Sequence, residues 1–266
     1  MASRFHDIAN DLRTRIAAEE WKPGERLPTF VQLAEHYGTT QNTIGRAVDV
    51  LRADGLVDAV QGRGITLMPT ANPQDAATVS YLIEAGHLKN SPRSGWLLAG
   101  IQQPESVAEH SYRVGIIAFV IATLEGGNAD RAATLALFHD VPETRTGDVP
   151  TAGKKHVTLQ DANDVAAVQT AHLSTELAAA IRTVISEFEA KETLEARCAK
   201  DADKIECLLQ AREYQARGNT LVQPWIDTML AAVKTTTGRR LAEAAVQVPV
   251  DAWWHDIVAA SKEQQR

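Results

Sequence analysis

Phe5, Ile8, Ala9, Leu12 and Ile16 recur at three- and four-residue intervals, the apolar stripe of an amphipathic helix that Pro23-Gly24 must end. Thr29 is placed to cap a second helix with apolar positions at Val31, Leu33 and Ala34. Gly38 breaks that helix, and Thr40 can cap a third running to about Asp54. On the third, Ile44, Ala47, Val48 and Leu51 form an inner face and leave Gln41, Asn42, Gly45, Arg46 and Asp49 outside, where a DNA groove would meet them. Beyond Gly55, the runs Leu56 to Val60 and Ile65 to Met68 flank Gln61-Gly62-Arg63-Gly64, a spacing suited to a two-stranded hairpin. The pattern predicts three helices followed by a β-hairpin wing.

The polar, Pro-containing stretch Pro69-Thr70-Ala71-Asn72-Pro73 interrupts this patterning and places a domain boundary between 1–70 and 71–266. After it, Val79, Leu82, Ile83 and Leu88 predict a short amphipathic helix, and Pro92-Arg93-Ser94-Gly95-Trp96 a shaped loop. Val107, Val114, Ile117, Ala118 and Ile121 mark a long helix that starts near Pro104-Glu105-Ser106 and carries His110. A second, from Ala132 to about Glu143, carries His139-Asp140. A third, from about Ala196 to Arg217, carries Asp201, Asp203 and Glu206 among Ile205, Leu208 and Leu209. From Leu221 through Trp253-Trp254 to Arg266 the patterning is helical, with apolar aromatics that pack on the domain or a partner subunit. The fold class expected is mainly α: a winged helix-turn-helix, then an all-α bundle.

Composition narrows the partners. The 266 residues carry a formal net charge of −7, which argues against indiscriminate polyanion binding. Residues 4–63 hold eight basic and nine acidic side chains, so any DNA contact must be a local patch such as Arg26, Arg46 and Arg63. The longest apolar stretch, Gly115 to Leu124, is too short for a bilayer, and the N-terminus, with Arg4, His6 and Asp7, lacks a signal-peptide core. A cytoplasmic protein with no membrane contact is expected. Cys198 and Cys207 fall in helical sequence and read as buried free thiols.

Three helices thus bring two imidazoles and a carboxylate toward an apolar core. Left unpartnered there they would be costly; a divalent cation removes that cost and leaves coordination positions for water and substrate oxygens. The mixed nitrogen and oxygen set favours Mn, Fe, Co, Ni or Zn over Ca, with Mg retained as a candidate.

Two resemblances extend the reading. Through Pro23-Gly24-Glu25-Arg26-Leu27-Pro28, Leu33-Ala34, Thr43-Ile44, Leu51, Asp54-Gly55-Leu56-Val57 and Gly62-Arg63-Gly64, the first seventy residues resemble the GntR-family winged helix-turn-helix. That implies operator binding as a dimer, through Arg26, Gln41, Asn42, Arg46 and Arg63; Gln41 and Gly45 stand where family members usually place DNA-contacting arginines. The order His110, His139-Asp140, Asp203 is the pattern of the HD superfamily and selects Asp203 as the fourth ligand of one divalent ion. The flanks Arg93-Ser94-Gly95-Trp96, Pro104 to Ser111, His139-Asp140-Val141-Pro142-Glu143, Thr146-Gly147-Asp148-Val149-Pro150 and Lys200 to Lys204 look like the HD-domain 5′-deoxynucleotidases over about Leu82 to Tyr214.

This second resemblance implies an HD-type bundle that releases phosphate from deoxynucleoside 5′-monophosphates. Glu143, read as lying on the helical face of His139 and Asp140, positions or deprotonates water; Asp148 protonates the leaving 5′-oxygen if its carboxyl is kept neutral. Arg93 and Lys154 neutralise the phosphate, and Trp96 shapes the sugar pocket against a 2′-hydroxyl. Asp201 and Glu206 are left as solvated or supporting residues. The alternatives are a transcription regulator using the HD pocket as a nucleotide sensor, or hydrolysis of another phosphoester. Against guanosine-polyphosphate hydrolysis, Thr144 stands where those hydrolases typically carry a second acid. Both families dimerise, so a homodimer is expected.

Overall fold

Helix α1 (Arg4–Ala17) buries Ile8, Ala9 and Leu12, the stripe its periodicity marks. Helix α2 (Phe30–His36) starts at Thr29, whose hydroxyl accepts the Gln32 N–H while the Gln32 side chain accepts the Thr29 N–H, a reciprocal cap. Gly38, at φ 56°, makes the turn into α3 (Gln41–Ala53), where the Thr40 hydroxyl accepts the Thr43 N–H. Ile44, Ala47, Val48 and Leu51 of α3 are buried in one cluster with Leu12, Leu33 and Ile65; Val31 of α2 is exposed instead. Strands β1 (Val57–Val60) and β2 (Gly64–Leu67) pair antiparallel, with Val57 opposite Leu67 and Val60 opposite Gly64.

In this computed structural model the described residues are 4–60, 64–68 and 72–263, and the chain divides into two units, Met1–Pro73 and Gln74–Arg266. Arg63 at the expected wing tip and Pro69-Thr70-Ala71 of the expected boundary lie outside the described residues.

The second unit is helical. Helix α4 (Pro73–Gly86) corrects one expectation: Val79, Leu82 and Ile83 are exposed, and the buried side is Tyr81, packed in a cluster that includes Ala77, Ala85 and Leu88. A 3₁₀ turn (His87–Asn90) leads to α5 (Gly95–Leu98) and α6 (Val107–Glu125). Helix α7 (Ala129–Phe138) is followed by the short helices α8 (Glu143–Thr146) and α9 (Thr151–Lys154). Then come α10 (Ala162–Gln169), α11 (Thr175–Ala190) and α12 (Leu194–Ala216). Last are α13 (Gln223–Ala232), α14 (Thr236–Gln247) and α15 (Ala252–Glu263). Helices α6, α7 and α12 pack on one another around Val114, Ala118, Ile121, Leu135, Ala199, Ala202 and Leu208, with Phe188 from α11.

Helix α6 is long and apolar enough, by length and composition, to cross a bilayer. Its inner side packs against α7 and α12 in the core and carries the buried His110. Helix α7 stops at Phe138 rather than near Glu143. Pro142 offers no N–H and disfavours helical geometry at Val141, so after His139 the backbone closes i to i+3 turns, Val141 N–H to Phe138 O and Glu143 N–H to Asp140 O. Glu143 therefore reaches the histidine-aspartate pair across a turn, not along a helical face. At the start of α14, Gly238 is required by close approach: a Cβ there would lie 2.6 Å from Thr235 Oγ1 and 3.0 Å from an Asp201 carboxylate oxygen.

Candidate metal centre and active site

Each histidine has one ring nitrogen fixed by the fold. His139, at the end of α7, donates Nδ1–H to the Ala136 carbonyl at 2.6 Å. His110, fully buried on α6, places Nδ1 on the equally buried Glu206 carboxylate of α12. Both rings therefore turn Nε2 toward a common point, the tautomer that leaves a lone pair for a metal. Asp140 Oδ2 lies 3.0 Å from His139 Nε2 and 3.8 Å from His110 Nε2. Asp203 Oδ1, from α12, lies 3.2 Å from His110 Nε2 and 4.0 Å from His139 Nε2.

These separations fit a cation. Ligand bonds of about 2.0–2.2 Å put adjacent ligands roughly 3 Å apart at right angles and about 3.5 Å apart in a tetrahedron. Three of these donor atoms, His110 Nε2, His139 Nε2 and Asp140 Oδ2, are buried without a hydrogen bond, as is Glu143 Oε2. A rival trio on the other side of the ring, Glu105, His110 and Glu206, has comparable spacing. There, however, Arg113 already binds Glu206 Oε1 through Nε and Nη2 at 2.9 and 2.8 Å, so a guanidinium supplies the positive charge.

The electrostatics agree. Burial opposes ionisation of Asp140 and Asp203, yet the adjacent His139 and His110 and the Arg93 guanidinium hold both carboxyls well below the usual range. Burial and Arg93 oppose charge on His110, but Glu206 and Asp203 carry it up to about 10. A cluster that draws a proton onto a buried imidazole offers the same field to a divalent cation. Glu143 is pushed up to about 9, first by burial and then by Asp140 and Asp148.

Arg93 stands between two carboxylates, its Nη1 3.3 Å from Asp148 Oδ1 and 3.6 Å from Asp140 Oδ2. Asp148 also accepts from the Ser94 backbone N–H at 2.5 Å, and the Ser94 hydroxyl lies 3.0 Å from the same carboxyl. The one Ser94 hydroxyl proton has a nearer acceptor in the Asp148 carbonyl at 2.7 Å, so the Arg93 guanidinium and the Ser94 backbone N–H are the donors that fix this carboxyl, the one the sequence names as a proton donor. Trp96, on α5, is only 2 % exposed; its Nε1–H donates to Glu105 Oε1 at 2.9 Å, and its ring meets Tyr214 and Trp225. Burial beside Glu206 raises the Glu105 carboxyl to about 7.

Arg93, Trp96, His139, Asp140, Glu143, Asp148, Lys154 and Asp203 all line one cavity of about 700 Å³; Leu98, Leu159, Trp225 and Met229 add apolar wall. Of the expected metal ligands and catalytic or substrate-binding residues, His110 alone does not line that cavity. Asp201 and Glu206, which the sequence leaves as solvated or supporting residues, are both buried and both support. Asp201 accepts the backbone N–H groups of Lys234 and Thr235 ahead of α14, and Glu206 holds His110. Glu206 is findable, since it falls three residues after Asp203 between apolar neighbours, hence on the same inward face. Trp225 has no such signal; only the fold brings α13 to the cavity.

In the first unit Gln41 and Asn42 are exposed at the start of α3, and Arg26 is exposed in a backbone bridge with Thr66. The guanidinium of Arg46 lies over the Phe5 ring, 4.1 Å from the centroid.

Comparison with known proteins follows the same division. The family model described as HD domain matches residues 85–245, and that described as bacterial regulatory proteins, gntR family, matches residues 5–67. The chain is 34% identical over 147 residues to 5′-deoxynucleotidase hdd1 of Schizosaccharomyces pombe, covering 53% of this chain and 74% of that protein. It is 34% identical over 142 residues to 5′-deoxynucleotidase HDDC2 of Homo sapiens, covering 52% and 68%. Among solved structures, a predicted metal-dependent phosphohydrolase from Magnetospirillum magnetotacticum aligns with TM-score 0.53 at 27% identity, covering 67% of this chain and 94% of that one. A conserved hypothetical protein from Pyrococcus furiosus aligns with TM-score 0.53 at 26% identity, covering 64% and 99%.

Proposed function

The chain belongs to the HD-domain family and is a metal-dependent phosphohydrolase, and we propose that it hydrolyses deoxynucleoside 5′-monophosphates to deoxynucleoside and phosphate. One observation carries this: two imidazole Nε2 atoms and an Asp140 oxygen meet, buried and unpartnered, beside a guanidinium on a cavity wall. His110, His139, Asp140 and Asp203 would hold one divalent ion, which supplies polarisation of a phosphoryl oxygen and a more acidic water.

The remaining work falls to the chain's own side chains. Arg93 offers its fork to the phosphate, aimed by Asp148, and Lys154 at the end of α9 adds charge at the cavity edge. The Glu143 carboxyl, free of hydrogen bonds at Oε2, takes the proton of the attacking water. A carboxyl held protonated up to about 9 by burial and by Asp140 and Asp148 must first be ionised, which positive charge from a cation on the adjacent ligands would favour. It can then take the water's proton and pass it to the leaving 5′-oxygen, ending ionised as it began. This relay gives Glu143 the acid part that the sequence assigns to Asp148. Trp96, pinned through Glu105, makes a rigid wall for the sugar, and the apolar surface of Leu98, Leu159 and Met229 suits a nucleobase. The named activity of the relatives supports the deoxynucleotide choice.

Phosphate release measured over a panel of deoxynucleoside and ribonucleoside 5′-monophosphates tests the reading. The deoxy series is expected to react faster, and Glu143→Gln to lose about 10²- to 10⁴-fold in kcat with metal content unchanged. Equal rates on ribonucleotides, or a fully active Glu143→Gln, would refute it.

The gntR match favours a second reading, a regulator that senses nucleotide through the same pocket. An operator shift altered by nucleotide, without phosphate release, would select it.

A further inference from the structure

His110 can offer a cation either of two nitrogens, and what binds the other nitrogen decides which. We propose that Glu206 and Arg113 form a positioning pair that presents His110 through Nε2 and blocks Nδ1; the proposal rests on the metal-centre reading above.

The geometry is a ladder between two helices. His110 and Arg113 lie three residues apart on α6. Asp203, Glu206, Gln210 and Glu213 follow at intervals of three, four and three on α12, along one helical face. Asp203 faces His110 Nε2 at 3.2 Å, and Glu206 takes Nδ1 on the far side of the ring. Arg113 grips Glu206 Oε1 with Nε and Nη2 at 2.9 and 2.8 Å; Gln210 Oε1 at 2.7 Å and Glu213 at 2.5 Å brace the guanidinium in turn.

Fully buried, Glu206 would be expensive as a lone carboxylate, and Glu105 also faces it with like charge. Arg113 offsets both costs, so Glu206 stays an acceptor and His110 must donate from Nδ1. The substitution Glu206→Gln would leave the guanidinium with Glu213 as its remaining counter-charge and present to His110 an amide that can face the ring by either end. The same pair disfavours a cation in the rival trio on the Nδ1 side.

The test uses the full chain, stripped by chelation, with Co²⁺ as the probe, followed by calorimetry and by the visible absorption of the bound ion. Glu206→Gln and Arg113→Gln are expected to weaken Co²⁺ binding about 10- to 100-fold and to shift its absorption bands. Arg113→Lys restores most of the affinity by keeping a cation on Glu206. Asp201→Asn, on the same helix but facing the start of α14, lowers Tm and leaves Co²⁺ affinity and spectrum as in the parent. Should Glu206→Gln not fold, the Arg113 pair carries the comparison, because that side chain is 27% exposed and its loss opens no sealed void. Wild-type affinity and spectrum in the Arg113→Gln or Glu206→Gln protein overturn the proposal, as does an equal affinity loss in Asp201→Asn. Absence of Co²⁺ binding by the unmutated chain instead removes the metal-centre reading, and this inference with it.

Discussion

Arg93 answers to two carboxylates at once, Asp148 at 3.3 Å and Asp140 at 3.6 Å, and a planar fork can serve both while presenting remaining N–H groups to a phosphate. A lysine keeps the charge and loses the fork. Arg93→Lys is therefore expected to lower kcat/KM about 10- to 100-fold at unchanged cobalt content, read by phosphate release; a rate equal to the parent's would show that charge alone suffices. Single residues differ in how far sequence exposes them. His139-Asp140 is visible as an adjacent pair where an apolar run breaks, whereas the tie from Asp148 to Ser94 joins positions 54 residues apart and has no local trace. The acid part expected of Asp148 comes from the family resemblance; its contacts with Arg93 and the Ser94 N–H are visible only in the fold.

Among elements, boundaries set by side-chain caps are legible. Thr29, Thr40 and Ser106 each accept the N–H three residues on, and the helices start where those residues predict. Legibility fails where a tertiary partner chooses the outcome. In α4 the longer apolar side chains point outward because the neighbouring elements meet Tyr81 and two alanines, and in α7 the helical pattern runs on past the point where Pro142 stops the helix.

Helix α4 also holds α8, the short helix that starts at Glu143. Glu84 accepts from Arg145 Nε and Nη2 at 2.6 and 2.9 Å, from Thr144 Oγ1 at 3.1 Å and from Gln169 Nε2 at 2.8 Å, tying α4 to α8 and α10. The Arg145 hydrogen bonds lead in holding Glu84 down to about 2, from an ordinary value near 4.5. A carboxyl with a depressed folded value stabilises the fold above its unfolded value, and that contribution fades as pH falls from about 4.5 toward 2. Glu84→Gln should accordingly lower Tm at pH 7 and narrow the gap to the parent near pH 3. A gap that stays constant across that range would mean the clamp contributes nothing through charge.

At the scale of the whole molecule, two units with separate cores match two different families, and the chemistry belongs to the one spanning Gln74–Arg266. Eight basic against nine acidic side chains over residues 4–63 leave the first unit without a net basic charge for polyanion binding, while the second brings Arg93, Asp140, Glu143, Asp148 and Asp203 to one cavity. In the function proposed here, phosphohydrolase activity depends on one divalent ion held by His110, His139, Asp140 and Asp203. The most direct test is phosphate release from a deoxynucleoside 5′-monophosphate by chelated protein titrated with Mn²⁺ or Co²⁺, alongside Asp140→Ala. Activity is expected to return with roughly one equivalent of metal and to be absent from Asp140→Ala at every metal concentration. Full activity in the chelated protein, or in Asp140→Ala, would contradict it.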